Sequence, residues 1–108
     1  MVEYTLSLDS IFGSLSDPIR RDILKRVMHT ELNISEIASQ YSISLAAISK
    51  HLKILERAQL VTKRKQGKEH FVTVSPAALK QADEYLSQYA DLWNGRFDRL
   101  DTLLNKGE

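Results

Sequence analysis

The chain has no cysteine among its 108 residues, so neither a disulfide nor a thiolate metal site can form within it. No apolar run approaches the roughly 20 residues that a helix needs to cross a bilayer, and no charged-then-apolar leader opens the sequence. No membrane partner is expected, and the cytoplasm is the expected location. Histidine occurs three times, at His29, His51 and His70, on three different expected elements, and residues 76–108 contain none. Such scatter does not favour convergent imidazole ligation of zinc, and no cofactor is expected. Charge of one sign is also scarce, because 15 Lys and Arg stand against 14 Asp and Glu and leave a net +1. That balance points to no partner until it is divided by segment.

What is present is 43% hydrophobic residues, enough for the modest core of a single domain over 1–108. The most informative stretch is Asn33 to Leu60, NISEIASQYSISLAAISKHLKILERAQL. Asn33 is a good N-cap and Glu36 lies three residues on, a capping-box arrangement that predicts a helix of about eight residues. Ile37, Ala38 and Tyr41 give that helix an inward stripe. Ser42-Ile43-Ser44 breaks the periodicity, and Ser44 can cap a second helix running from Leu45 to about Ala58. On it Ile48, Leu52 and Leu55 fall at i, i+4 and i+7, one buried face. Ala46, Ala47, Ser49, Lys50, His51 and Lys53 lie largely outside that face. Small residues permit close approach to base edges while cations meet phosphates, so this is a helix-turn-helix suited to a major groove.

Val61–Lys65 and Glu69–Val74 are β-rich runs flanking Gln66-Gly67-Lys68, in which glycine supplies the positive φ of a hairpin. A basic hairpin at this place, 61–74, reads as a wing. Residues 1–44 carry four Lys or Arg against six Asp or Glu, and residues 71–108 carry the same. Residues 45–70 carry seven against two, so the positive charge is concentrated in the second helix and the hairpin. Double-stranded DNA is the expected partner. Arg64, Lys65 and Lys68 are assigned to phosphates or the adjacent minor groove, and Ser44, Leu45, Ala46, Ala47, Ser49, Lys50, His51 and Lys53 to the groove contact itself.

Thr5–Ser14 is a short amphipathic segment in which Leu8, Ile11 and Phe12 can share a face. The two helix-start signals with proline are Ser16-Asp17-Pro18 and Ser75-Pro76. The first opens a helix to about Met28, and the second opens a long one over about 76–105. In the latter Leu79, Ala82, Leu86, Tyr89, Trp93, Leu100 and Leu103 recur at three and four residues, with Phe97 beside Arg96 and Gly95 as a candidate kink. Such a helix extends about 45 Å at 1.5 Å per residue, more than a small winged core over 8–75 can cover. Leu8, Ile11, Phe12, Leu79, Leu86, Tyr89, Trp93, Phe97 and Leu100 are therefore expected at the interface of a homodimer. A two-fold dimer presents recognition helices about 34 Å apart and calls for a pseudo-palindromic operator. The fold class is thus mainly α with a small β-hairpin, a dimeric winged helix-turn-helix.

Leu15–Leu24, Glu31–Ile37, Ile48–Leu55 and Leu60–Gly67 together resemble the arsenic-repressor (ArsR/SmtB) family of bacterial winged-helix regulators, in register over about residues 8–75. The resemblance implies a homodimer held by the first and last helices, a DNA-binding helix pair with a wing, and repression relieved by an effector. Tyr89, Trp93, Phe97 and Leu100 are similar to a branch with a tryptophan-bearing last helix. Metal-sensing members carry two cysteines where this chain has Asn33 and Ser35, and an amide with a hydroxyl makes no soft-ligand site. His51 matches the histidine of the family's Ser-x-His-Leu pattern, here Ser49–Leu52, either near the DNA or packing beneath the wing. Leu45 stands where the resemblance often has a polar residue, so Leu45, Ala46 and Ala47 are expected against thymine methyls.

Two readings from other classes stay beside this one. A winged-helix protein-interaction module shares the fold without needing the charge clustering. A hydrolase built on His51 with Ser49 or Glu56 has no glycine-rich oxyanion turn and puts Ser49 on a divergent helix face, so no enzyme is expected. Within the regulator reading, Tyr85, Tyr89 and Trp93 either line a pocket for a small-molecule effector or form dimer core, and an unliganded repressor governed by its own abundance or by another protein is the further alternative.

Overall fold

Asp17 caps the helix that Pro18 opens, its Oδ1 accepting from the backbone N–H of Ile19 at 2.8 Å and of Arg20 at 3.1 Å. The Arg20 N–H leads the causes that hold the Asp17 carboxyl below the usual carboxylate range. This is α2, Pro18–Val27, in a computed structural model that describes residues 2–94 and 103–104, with side chains from residue 8 onward. It follows α1, Val2–Ser14, and precedes β1, Leu32–Asn33, a two-residue strand absent from the sequence reading. The capping box forms as expected: Glu36 N–H donates to Asn33 Oδ1 at 2.8 Å and Asn33 N–H to Glu36 Oε1 at 3.0 Å. The helix it opens, α3, covers Ile34–Ala38, five residues rather than about eight. Tyr41, meant for its last turn, lies beyond its end. The hydroxyl donates to Asp22 Oδ2 at 2.5 Å and accepts from Arg26 Nε at 3.2 Å, tying α2 to the turn.

Ser44 Oγ accepts from the Ala47 N–H at 3.1 Å and starts α4, Leu45–Arg57, which buries Ile48, Leu52 and Leu55. The α4 C-terminus closes with Gln59 N–H to Glu56 C=O and Leu60 N–H to Leu55 C=O, both at 3.0 Å, which is the Schellman pattern. Gln59 takes φ 60 there, a left-handed backbone that favours glycine, and buried Leu60 then turns the chain into β2. Gln59→Gly should relieve that strain and raise stability by about 1 kcal/mol, read as a higher urea midpoint. A fall in the midpoint would show that the Gln59 side chain outweighs its backbone cost.

β2, Val61–Gln66, and β3, Glu69–Val74, pair antiparallel with Lys63 opposite Val72 and Lys65 opposite His70. Gly67 carries the expected positive φ, 64°, but the turn is tighter than read, since Gln66 belongs to the strand opposite Glu69. β1 joins the other edge of β3, so the wing is part of a three-stranded sheet of order β1-β3-β2. The core gathers Ile11, Ile23, Leu24, Val27, Ile37, Ile48, Leu52, Leu55, Leu60, Val61 and Val72 from helices and sheet alike.

α5 spans Pro76–Ser87, with Ser75 at the N-cap position but no side-chain bond from it. The single helix expected to about 105 is interrupted earlier than Gly95. Residues 88 and 89 form a turn with Tyr89 N–H on Leu86 C=O at 3.0 Å, and helix resumes over 90–94. Gly95 itself lies outside the described residues.

Burial, followed by the hydrogen bond to Asp22, pushes the Tyr41 hydroxyl up to about 12 from 10.0. Its folded value exceeds its unfolded one, so the stability from neutral Tyr41 is complete below pH 10 and is lost as pH rises through about 12. Over pH 10–12 the wild-type chain should lose more thermal stability than Tyr41→Phe, whose melting temperature lacks this component. Parallel curves for the two would overturn the assignment.

Candidate nucleic-acid interface

The exposed face of α4 follows from what its buried face removes. With Ile48, Leu52 and Leu55 inward, Ala46, Ser49, Lys50 and Lys53 are exposed and Leu45 is 58% exposed, an unusual place for leucine. Ala47 is half-buried on the flank. Ile43, which the sequence reading passed over, adds a second exposed apolar side chain just before Ser44. The helix thus presents apolar and small groups at its N-terminus and cations one and two turns on. Among the described residues, no carboxylate lies within ion-pair distance of Lys50, Lys53, Lys65 or Lys68.

Two residues expected at the DNA have partners within the protomer. Arg64 is held at home: its guanidinium reaches Glu31 at 2.6 and 3.3 Å, donates to Gln66 Oε1 at 2.6 Å and stacks 4.8 Å over the Phe71 ring. The pair raises the Arg64 pKa and holds the Glu31 carboxyl below its ordinary value. Strand alternation explains this, because Arg64 and Gln66 share one face of β2 with Phe71 opposite Arg64, the face turned from α4. Lys63, on the other face, bridges Glu56 of α4 at 3.7 Å.

His51 is half-buried, with Nδ1 3.2 Å from Arg20 Nη1. A guanidinium can only donate, so Nδ1 is the acceptor in this contact. Arg20 also donates to Ser14 C=O at 2.8 Å and Gly13 C=O at 3.3 Å, so His51 braces α4 against the α1–α2 corner.

Between α4 and the wing lies a cavity of about 300 Å³ lined by Asn33, Ile34, Ser35, Leu45, Ser49, Lys68, Glu69 and His70. It brings predicted Leu45, Ser49 and Lys68 together. His70 and Ser35 were missed, although counting by twos along β3 from buried Val72 places His70 on the α4 side.

The expected pairing face divides in the structure. Ile11 is fully buried and belongs to the protomer's own interior, while Leu79 is half-buried and packs against the same core. Leu8 is half-buried. Phe12, Leu86, Tyr89 and Trp93 are about 40% exposed, and Leu92, absent from the expectation, is 58% exposed. Tyr85 meets Phe12 and Tyr89 edge to face at 5.9 and 5.6 Å, joining α1 to α5 within one chain. Phe97 and Leu100 lie outside the described residues.

This geometry has relatives. A family described as a helix-turn-helix domain matches residues 15–64. The arsenical resistance operon repressor of Staphylococcus xylosus is 32% identical over 87 residues, 81% of this chain and 80% of that protein. The chain belongs to the ArsR family. The HTH-type transcriptional regulator Rv2034 of Mycobacterium tuberculosis is 36% identical over 73 residues, 68% of each chain. The solved ArsR family transcriptional regulator RHA00566 superposes with a TM-score of 0.78 at 27% identity, covering 83% of this chain and 93% of that one. The chain is a DNA-binding transcriptional regulator of winged helix-turn-helix fold, as read from the sequence. Among the described residues of this ArsR-family protein no helix is long and apolar enough to cross a membrane.

Arg64→Met separates the two roles considered for that arginine. Its loss should lower the melting temperature by a few degrees and leave the salt slope of DNA binding unchanged, because Glu31 already neutralises the guanidinium. A slope reduced by about 0.9 would return Arg64 to the phosphate contacts.

Proposed function

We propose that the chain acts in the cytoplasm as a homodimeric repressor without catalytic activity. Its recognition helix, 45–58, enters the major groove and the wing, 61–74, meets the flanking backbone of a pseudo-palindromic operator. The observation that carries this reading is the face shared by Leu45, Ala46, Ser49, Lys50 and Lys53, exposed and, among the described residues, free of carboxylate partners. Bases are read by Leu45, Ala46, Ala47 and Ser49, with Ser44 fixing the helix start. Lys50, Lys53, Lys65 and Lys68 take phosphates. His51 serves as a positioning residue through Arg20. The segment from Pro76 onward pairs with its copy through Leu86, Tyr89, Leu92 and Trp93, with Phe12 beside them.

Metal sensing at the Asn33–Ser35 frame is not part of this proposal. Asn33 Oδ1 is committed to the capping box, and neither residue offers a soft ligand. The effector is a small molecule or another protein. Selecting genomic fragments with the purified chain, footprinting the strongest and transcribing from them in vitro tests the whole. Two protected half-sites one helical turn apart with reduced transcript are expected. A single half-site, or increased transcript, would overturn the dimeric or the repressor part respectively.

A further inference from the structure

The cavity between α4 and the wing has an asymmetry that charge counting along the chain does not reveal. The back of the wing is satisfied internally, since Arg64 is taken up by Glu31, Gln66 and Phe71. The front, facing α4, carries His70 directly across the ladder from Lys65. His70 is exposed and lines the cavity with Lys68 and with the hydroxyl residues Ser35 of α3 and Ser49 of α4. Four side chains able to donate a hydrogen bond thus converge from three elements on one opening, at the end of the recognition helix where Leu45 is uncovered.

We propose that His70 contacts a phosphodiester of the DNA backbone in this cavity and binds it as the imidazolium, so that DNA binding takes up a proton. The ligand class follows from the lining. Two hydroxyls and an ammonium suit a phosphate oxygen, Glu69 being the one carboxylate in the lining, and in the proposed docking a backbone leaving the major groove passes this opening. Imidazole is the side chain whose ordinary titration falls between pH 5 and 8, so a phosphate beside it converts affinity into a function of pH. The charged groups facing it are Lys65 across the ladder and Lys68 and Glu69 in its own hairpin. β1, α3 and α4 present Asn33, Ile34, Ser35, Leu45 and Ser49 to the cavity, none of them charged.

The sign follows from linkage. A phosphate raises the imidazole pKa in the complex, so affinity is highest below the free-protein value and falls as pH rises through the value in the complex. A rise of one pKa unit corresponds to a tenfold change in affinity across the window. This inference rests on the proposed use of this face for DNA and adds to it a residue and a proton.

The test is fluorescence anisotropy of the full chain with a labelled 30-base-pair duplex of mixed sequence, at fixed low salt, from pH 5.5 to 8.5. Phosphate contacts are shared by specific and non-specific complexes, so no operator is needed. The wild-type chain should lose about tenfold in affinity across this range. His70→Gln should bind weakly with a flat profile, and His70→Lys tightly with a flat profile, which separates loss of charge from damage to the strand. His29→Gln should keep the wild-type slope. A wild-type slope retained in His70→Gln and His70→Lys, or a flat wild-type profile, overturns the proposal while leaving the DNA reading intact. No binding of the wild-type chain at any pH overturns both.

Discussion

Replacing Lys50 and Lys53 together by alanine should weaken DNA binding about 60-fold per bound subunit at 0.1 M salt and by almost nothing near 1 M. Both lysines are exposed on α4 beyond the small N-terminal residues, and neither has a carboxylate partner among the described residues. Each cation that neutralises a phosphate releases condensed counterions and contributes about 0.9 to the slope of log K against log salt. Losing two therefore flattens the slope by about 1.8 per subunit, and the affinity loss at any salt follows from that slope. The fold should be untouched, because the buried face of α4 is Ile48, Leu52 and Leu55. Anisotropy titrations at four salt concentrations check it. Parallel salt lines for variant and wild type would remove both lysines from the phosphate contacts and leave the wing cations to supply the electrostatics.

The contrast between Lys50 and Arg64 shows what could be read from sequence. Local hydrogen bonding and periodicity were legible: Asp17, Asn33 and Ser44 cap the helices they were expected to cap, and α4 buries the three residues its spacing picked out. These features depend on neighbours within four positions along the chain. Arg64 meets Glu31 across 33 positions, and Arg20 meets His51 across 31. No periodicity announces such pairs, so the contacts that Arg64 and His51 make within the protomer could not be read from the sequence. β1 was hidden for the same reason, since two residues carry no alternation and exist as a strand only because β3 passes alongside. Ile11 was assigned outward because an amphipathic stripe records that a face is buried, not whether its own core or another chain covers it.

That ambiguity is what a second substitution resolves. Leu86→Asp combined with Leu92→Asp should convert the chain to a monomer and cost two to four orders of magnitude in affinity for a two-half-site operator. Both leucines are well exposed in the protomer, at 43% and 58%, so charging them removes little from the protomer core. In the proposed pair, however, the same positions are covered by the partner's helix, and two unpaired carboxylates per chain must be desolvated there. The DNA penalty follows from linkage between half-sites. In a dimer the second recognition helix binds at the effective concentration fixed by the first, and a monomer must bring it from solution. The protomer should keep its melting temperature apart from the concentration dependence that dimerisation confers. Sedimentation velocity and anisotropy on the same samples read both effects. A variant that still sediments as a dimer would move the interface away from the α5 end and Leu92. A monomeric variant with undiminished operator affinity would mean that one recognition helix with its wing suffices, and the proposed palindrome would then lose its physical reason.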